Sequence, residues 1–256
     1  MQKKFLLSIV AALFLTSCSL DPIDPTRNWS ADRLYEEARD EMMSGNYEQA
    51  IRYFESLESR YPFGLYAQQS QIEVAYAHYR QDEPAQALAA IERFLRLHPN
   101  HVRADYMYYL RGLIYLDDRA EFFTEFFDFF STKDQSQRDQ AALQQAYDSF
   151  RQLVVRFPDS TYADEARKRM ATLVQAIAQY EVNIANYYYR RGAYVAAVNR
   201  AQDVVKNHDQ TAAVEQALAI MVQSYQALGL IQLRDDAERV LLLNFPNTTL
   251  IPRERS

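Results

Sequence analysis

The chain has 256 residues, of which 48% are hydrophobic and 24% charged, and this balance excludes a largely disordered protein. Only five glycines occur, whereas an all-β protein needs many tight turns, so the composition predicts an all-α fold. The formal net charge of −6 argues against a nucleic-acid-binding protein, because such proteins neutralise phosphates with Lys and Arg.

The first residues have the pattern of a targeting signal. Lys3 and Lys4 precede an apolar run over residues 5–15, shorter than the roughly 20 residues that span a bilayer. The run ends in Leu15-Thr16-Ser17-Cys18, which resembles the lipobox of bacterial lipoproteins. We therefore predict a signal peptide over residues 1–17, whose removal changes the net charge from −6 to −8, and a lipid on Cys18.

Cys18 is the only cysteine in the chain, so it cannot form an internal disulfide. The alternative to lipidation is an ordinary signal peptide followed by an incidental free thiol. Ser19 stands where lipoproteins of the inner membrane often carry Asp, so the resemblance implies the periplasmic face of a Gram-negative outer membrane. Pro22 and Pro25 predict a flexible tether over residues 18–30, with the lipid as the only membrane contact.

An internal repeat predicts the fold of residues 31–248. A small residue and a helix-ending proline recur 12 positions apart, at Ala50 and Pro62, Ala87 and Pro99, and Ala146 and Pro158, and the same spacing starts at Ala197 and Arg234. Seven positions after each start stands an apolar residue: Leu57, Phe94, Leu153, Val204 and Leu241. The pattern resembles the tetratricopeptide repeat and predicts an α-solenoid of about five helix pairs.

The repeat also predicts the domain organisation. Repeats 1 and 2 and the first helix of repeat 3 occupy residues 31–117, an insertion follows over 118–139, and the second helix of repeat 3 with repeats 4 and 5 occupies 140–248. Residues 249–256 form a tail. A stretch without Gly or Pro predicts one long helix over about Thr161–Arg190. In the last unit Arg234 and Glu238 replace the small and bulky residues, so we interpret it as a cap.

The insertion carries six phenylalanines between Phe122 and Phe130, at helical spacing. Two interpretations are open. The phenylalanines pack against the solenoid as local core, or they contact a partner protein or the membrane surface.

The sequence contains no catalytic or cofactor motif. It has no phosphate-binding Gly-Lys-Ser/Thr, no Gly-x-Ser-x-Gly and no His-Glu-x-x-His. His98 and His101 flank a loop with no acidic or cysteine partner nearby except Asp105, so we predict neither a metal nor a cofactor. We expect no enzymatic activity; the alternative is an exported enzyme on a helical scaffold.

Surface recognition is the remaining function. The first helix of each tetratricopeptide pair lines a groove, and counting back from the turns places a stripe of tyrosine and arginine there. The stripe contains Tyr35, Arg39, Tyr76, Tyr79, Arg80 and Tyr109. Such side chains offer large contact areas and hold carboxylates, which suits an extended peptide. For any single tyrosine the alternative is interior packing.

Three segments resemble one family: Arg60–Gly64 followed by Tyr66, Tyr106–Leu113, and Arg191–Arg200. They are similar to the BamD family, the lipoproteins of the β-barrel assembly machinery in Gram-negative outer membranes. The resemblance implies a periplasmic scaffold that docks through its C-terminal repeats on the periplasmic domain of BamA. It also implies that the N-terminal repeats bind the C-terminal β-signal of unfolded outer-membrane proteins, and that the smaller lipoprotein BamC lies along the body.

The resemblance implies particular site residues. A β-signal is extended and ends in an aromatic residue near a carboxylate, so the expected pocket combines rings with guanidinium groups: Tyr61, Phe63, Tyr76, Tyr79, Arg80, Arg93 and Arg96. Arg191, Tyr194 and Arg200 are expected to face BamA. Tyr61–Gly64 is also interpretable as a structured turn between repeats, and the two roles are compatible. The alternative function is another periplasmic tetratricopeptide lipoprotein, an adaptor for cell-wall or division machinery.

Overall fold

A computed structural model describes residues 24–116 and 137–251, and within these ranges every regular element is an α-helix. In chain order the described helices are α1 (Ala31–Met43), α2 (Tyr47–Arg60), α3 (Leu65–Arg80), α4 (Pro84–Leu97), α5 (Ala104–Tyr115), α6 (Gln137–Arg156), α7 (Ala163–Arg190), α8 (Tyr194–Asn207), α9 (Ala213–Ala227) and α10 (Ile231–Asn244). The predictions for Cys18 and for Phe122–Phe130 lie outside the described residues.

Helices that follow one another in the chain pack on one another. The chain forms two compact units, one up to Val74 and one from Ala75 onward. In the first unit α1 packs on α2; in the second, each helix from α4 to α9 contacts the next one, and α7 also contacts α9. This nearest-neighbour packing is that of a tetratricopeptide-like α-solenoid, and it confirms the predicted fold class.

The repeated small and large residues lie where packing requires them. Ala50, Ala87, Ala146 and Ala197 are fully buried, and so are the apolar residues seven positions after each of them. Gly112 is a further close-packing position, since a Cβ there would lie 2.5 Å from Cε1 of Phe150. Small residues at these positions let the helices of a pair approach closely, as the sequence predicted.

The turn inside four of the pairs has one conformation. The residue five positions before each repeat start has a positive φ: Gly45 (81°), Asp82 (63°), Gly192 (75°) and Gly229 (71°). In the first turn Gly45 N donates to Met42 O at 3.1 Å and Asn46 N to Glu41 O at 2.8 Å. This is the Schellman ending of a helix, in which a left-handed residue lets the chain satisfy the last carbonyls and reverse.

Two helix bounds refine the predictions. The long helix is present as α7, Ala163–Arg190, which confirms one uninterrupted helix leading into the fourth pair. The second helix of the third pair, α6, begins at Gln137, three residues before the predicted start at residue 140.

The last helix, α10, exposes a stripe of apolar residues as well as polar ones. Leu233, Val240 and Leu243 recur at helical spacing on α10 and are all exposed, whereas only Ala237 and Leu241 of this helix are buried. A terminal repeat that ends an array normally presents polar residues to water. The exposed surface of α10 therefore combines this apolar stripe with polar residues such as Gln232, Asp235 and Arg239, and the interpretation as a cap stays a prediction.

The residues before α1 also differ from the expected flexible tether. Residues 24–30 pack against the end of α2, where Arg60 donates to Thr26 O at 2.5 Å and Tyr61 Oη to Trp29 O at 2.9 Å. Backbone carbonyls of this segment have found partners in the body, so its described part is structured.

Candidate functional site

In the first unit, Tyr35 and Arg39 lie on α1 as predicted, but the Tyr35 ring is engaged. It packs against Phe54, with ring centroids 5.8 Å apart, and against Tyr66 at 5.0 Å. A hydrogen bond to Asp32 raises the pKa of Tyr66. Arg39, one turn further along α1, is exposed. Tyr35 thus contributes partly to interior packing, and Arg39 remains accessible to a ligand.

Tyr61 and Phe63 follow α2 in a structured turn. Tyr61 N donates to Leu57 O at 2.8 Å, and the Tyr61 hydroxyl donates to the carbonyl oxygen of Trp29. The Phe63 side chain has no comparable cover and is 94% exposed. The structured-turn interpretation of this segment is therefore correct, and within it Phe63 is the open side chain.

In the second unit, Tyr76, Tyr79 and Arg80 form a compact group at the end of α3. The two rings lie 6.4 Å apart, and Arg80 Nη1 donates to the Tyr76 hydroxyl at 2.9 Å. The Arg80 guanidinium carbon is 5.8 Å from the centre of the Tyr76 ring. A guanidinium held beside two rings can bind a carboxylate while the rings stack on an aromatic side chain.

Arg93 and Arg96 lie on the following helix, α4, at exposed positions one turn apart. The opposite face of α4 buries Ala87, Ile91 and Phe94. The predicted pocket is thus distributed over several elements: Tyr61 and Phe63 belong to the first unit, whereas Tyr76, Tyr79, Arg80, Arg93 and Arg96 belong to the second.

A second tyrosine and arginine surface lies on α5 and the turn before α7. Tyr109 stacks on Tyr162, with centroids 4.8 Å apart and planes inclined by 21°, and Tyr106 lies 5.6 Å from the same ring. Arg103 is placed over Tyr106 at 5.3 Å. The Ser160 hydroxyl donates to Asp105 at 2.6 Å and fixes the turn that carries Tyr162. These rings extend the chemistry of the predicted stripe to the third pair.

Among the residues expected to face BamA, Arg200 has the most informative surroundings. Its Nη1 lies 3.0 Å from Oε2 of Glu181, a buried carboxylate on α7, while the arginine itself is 46% exposed. Gln140 Nε2 donates to the other side of Glu181 at 2.5 Å. A buried carboxylate needs such partners because desolvation disfavours its charged form. Arg200 is therefore held through Nη1, while 46% of its side chain is exposed to solvent.

Arg191 and Tyr194 lie at the turn between α7 and α8. Arg191 is exposed, and its guanidinium carbon is 5.2 Å from the centre of the Tyr187 ring. Tyr194 packs on Tyr189 at 5.7 Å. Arg200 stands on the same helix as Tyr194 but on the face turned toward Glu181, so the three residues present two neighbouring surfaces of the fourth pair.

His98 and His101 form an aromatic cluster with Phe94. Each imidazole centroid lies 5.2 Å from the Phe94 ring, and His101 Nδ1 accepts from Arg103 N at 3.1 Å. Burial, followed by the charges of His98 and Arg103, lowers the pKa of His101. Within residues 24–116 and 137–251, no three His, Cys, Asp or Glu side chains are grouped so that they could hold a metal ion.

Comparison with known proteins tests the resemblance to the BamD family that three segments of the sequence carry. The family described as "YfiO: Outer membrane lipoprotein" matches residues 27–240. A protein of Neisseria meningitidis serogroup A named outer membrane protein assembly factor BamD is 44% identical over 254 residues, covering 97% of this chain and 94% of that protein. The chain belongs to the BamD family of outer-membrane lipoproteins.

More distant BamD proteins also match over nearly their whole length. The one from Vibrio cholerae is 36% identical, covering 95% of this chain and 99% of that protein. The one from Haemophilus influenzae is 30% identical, covering 99% and 94%. None of the helices in the part of the chain that the structure describes is long and apolar enough to cross a bilayer.

The sequence pattern did not indicate that two charged residues of this BamD-family chain are buried. Glu181 reads as one acid among many on a long helix, although it is buried and anchors Arg200. Arg111 lies inside a family-like segment, yet it is buried, donating to Ser149 Oγ at 3.0 Å and to Glu92 at 2.6 Å. Helical periodicity could have predicted their burial, because both residues lie on the face of their helix that carries apolar residues.

Proposed function

We propose that this chain is a lipid-anchored periplasmic scaffold of outer-membrane protein assembly, without catalytic activity, which binds BamA through its last two helix pairs. Its first pairs hold the C-terminal β-signal of unfolded outer-membrane proteins, and its lipid is attached to Cys18. The observation that carries the proposal is the match to named assembly factors over nearly the whole chain. BamC is the expected further partner along the body.

The apolar stripe on α10 supports a protein partner at the last pair. Leu233, Val240 and Leu243 form one stripe, and Leu243 is 76% exposed. Exposed apolar stripes on a terminal helix are costly in water and gain free energy when a partner covers them. The open side of Arg200 supplies a cation in the neighbouring pair, suited to a carboxylate of the same partner.

The docking proposal is tested by recovery of BamA from detergent-solubilised membranes with affinity-tagged full-length protein. We expect Arg200→Ala to reduce recovery, and also to lower stability because Glu181 is left buried without its partner. The double variant Glu181→Gln with Arg200→Ala restores the stability and leaves BamA recovery low.

Arg167→Ala is the matched control, since Arg167 is also 46% exposed and pairs with an acid on its own helix, Asp164. It should leave BamA recovery unchanged. Equal recovery with Arg200→Ala and Arg167→Ala would remove Arg200 from the interface. Recovery of cell-wall synthases in place of BamA would instead support the alternative adaptor function.

For the client site, the group Tyr76, Tyr79 and Arg80 provides the most complete local chemistry. It combines two rings with a guanidinium whose direction is fixed by a hydrogen bond to the Tyr76 hydroxyl. An extended peptide that ends in an aromatic residue and a carboxylate matches these groups. Further proposed contacts of the client are Tyr35, Arg39, Tyr61 and Phe63 within the first unit, and Arg93 and Arg96 within the second.

This proposal is tested by photo-crosslinking a peptide that corresponds to the last strand of a barrel protein to the purified full-length chain. Labelling should concentrate on the first two pairs and fall severalfold when Tyr79→Ala is combined with Arg80→Ala. Labelling confined to the last pairs, or undiminished in that variant and in Tyr61→Ala with Arg96→Ala, would contradict the assignment.

A further inference from the structure

The segment before α1, residues 24–30, is fastened to the end of α2; we name it the docking strap. Asp24 Oδ1 accepts from Thr26 N at 2.8 Å and from Thr26 Oγ1 at 2.7 Å, which closes a turn. Arg60 forms an ion pair with Asp24 and donates to both oxygens of Thr26. Thr26 is buried, so this end of the docking strap is anchored in the body.

The other end of the docking strap is fastened through Trp29. Its ring lies 5.6 Å from Tyr53 on α2, and the guanidinium carbon of Arg33 is 4.3 Å from its centre. The Tyr61 hydroxyl donates to its carbonyl at 2.9 Å. Ring contacts, a cation over the indole and a hydrogen bond thus act on one residue.

Because the docking strap is fastened to the body, a shorter stretch of chain connects the lipid on Cys18 with the first fixed residue, Asp24. We call this connecting stretch the leash. Only six peptide steps separate Cys18 from Asp24, and an extended chain of this length spans at most about 22 Å. If residues 24–30 were free, twelve steps would separate Cys18 from Ser30 and the reach would be about 43 Å. The docking strap halves the distance that the first pair can move away from the membrane.

The docking strap also determines which end of the first pair is held close. Because α1 and α2 form an antiparallel hairpin, the start of α1 and the end of α2 lie together, next to Trp29 and Tyr61. Phe63 and Leu65 follow at this same end, 94% and 73% exposed. Met43, 71% exposed, lies at the other end of α1, about 20 Å away along a helix of 13 residues.

We infer that the docking strap holds this end of the first pair against the lipid surface, where Phe63 and Leu65 enter the headgroup region. The inference rests on the proposed lipid at Cys18, since the leash has no fixed end without it. The occupant follows from where the chain leads: Asp24 is paired with Arg60 at the end of α2, which Phe63 and Leu65 follow, and only six peptide steps separate Asp24 from the proposed lipid on Cys18. Two apolar side chains bind a membrane weakly, but a tethered group meets it at high effective concentration.

The test uses the full-length acylated protein in vesicles of phosphatidylethanolamine and phosphatidylglycerol. Cys18 is the only cysteine and its thiol carries the lipid, so an introduced cysteine takes a single environment-sensitive fluorophore. We expect a label at Leu65→Cys to be quenched by lipids that carry a nitroxide near the headgroup. A label at Met43→Cys, the matched position at the other end, should show no quenching above that of plain vesicles.

Two variants separate the docking strap from the apolar contact. Thr26→Val keeps the shape of the side chain but removes the hydroxyl that bridges Asp24 and Arg60; it should lower quenching at position 65. Trp29 is the only tryptophan, so its emission reports release of the docking strap in the same sample. Phe63→Ser should lower quenching at position 65 while the Trp29 emission stays unchanged.

Equal quenching at positions 65 and 43 would overturn the inference. So would quenching at position 65 that stays unchanged in Phe63→Ser, because Phe63 would then lie outside the headgroup region. Failure of the proposed function has separate signs: Cys18→Ser protein that stays acylated and membrane-bound, or no recovery of BamA. Quenching confined to position 65 supports the inference whatever the BamA result.

Discussion

The first and last helix pairs are built from the same repeat but meet their surroundings differently. In the first pair, α2 buries Ala50, Ile51, Phe54 and Leu57, whereas α10 of the last pair buries only Ala237 and Leu241. A helix covered on several sides needs the complete series of small and large residues, while a terminal helix needs only one covered face. The departures at Arg234 and Glu238 reflect this, and they leave an apolar stripe available to a partner.

The largest expected effect is on stability, and it should be greater in the first pair. Phe54 is fully buried among Ala38, Ala50 and Tyr35, so Phe54→Ala should lower the free energy of unfolding by about 4 kcal/mol. Leu241→Ala in α10 should cost about 2.5 kcal/mol, because the neighbouring outer face can adjust around the cavity. Urea denaturation followed by circular dichroism measures both. A greater loss for Leu241→Ala would contradict the one-sided packing of α10.

The outer stripe of α10 should matter for binding and not for stability. Leu243→Ser should weaken binding to the periplasmic domain of BamA roughly tenfold, since burying one leucine contributes about 1.5–3 kcal/mol. Val155→Ser on α6 is the control, because Val155 is 73% exposed and Leu243 76%. Calorimetric titration measures the affinity and thermal unfolding the stability. Equal affinities for the two variants would remove α10 from the interface.

Substitutions in the turns of the first and last pairs should lower the stability by similar amounts, whereas substitutions in their helices should not. Gly45 and Gly229 have φ of 81° and 71°, and a Cβ at either would meet no atom within 4 Å. Gly45→Ala and Gly229→Ala should therefore each cost about 1 kcal/mol through the backbone alone. A cost well above that range at one glycine only, by urea denaturation, would show that the turns are not equivalent.

The smallest effect concerns the segments that flank the pairs. Hydrogen bonds from Thr26, with the charge of Arg60 as a smaller cause, lower the pKa of Asp24. The docking strap should therefore be fully held above about pH 4, the usual pKa of an aspartate, and released as the pH falls through the lowered value. Trp29 emission measures the release. Asp24→Asn should abolish this pH dependence, and an unchanged titration in that variant would exclude Asp24 as its source.

The segment after α10 is held without charge, by the buried Ile251 and by a hydrogen bond of 3.0 Å from Gln223 Nε2 to Leu250 O. A nitroxide placed near Leu250 should therefore show no mobility change over the range in which the docking strap is released. Parallel release of both ends would instead indicate acid unfolding of the helices themselves.

The sequence by itself determined the helical class, the pairing of helices and the turns between them. Ala50, Phe54 and Leu57 stand at fixed spacings because each helix must bury one face, and Gly45 and Gly192 stand at a fixed distance before each start because the turn requires a left-handed residue. These are local requirements, so they recur along the chain and are visible without a structure. The Tyr76, Tyr79 and Arg80 group also follows from spacing on one helix.

Only the tertiary structure decided which charged and polar residues are buried with a partner, and that the docking strap is fastened to the end of α2. Arg60 meets Thr26 across 34 positions, Gln140 meets Glu181 across 41, and Arg111 meets Ser149 across 38. No local pattern encodes such pairs, because their energies arise only when packed helices exclude water from both partners. For the same reason the sequence predicted a flexible tether where residues 24–30 are in fact fastened to the end of α2.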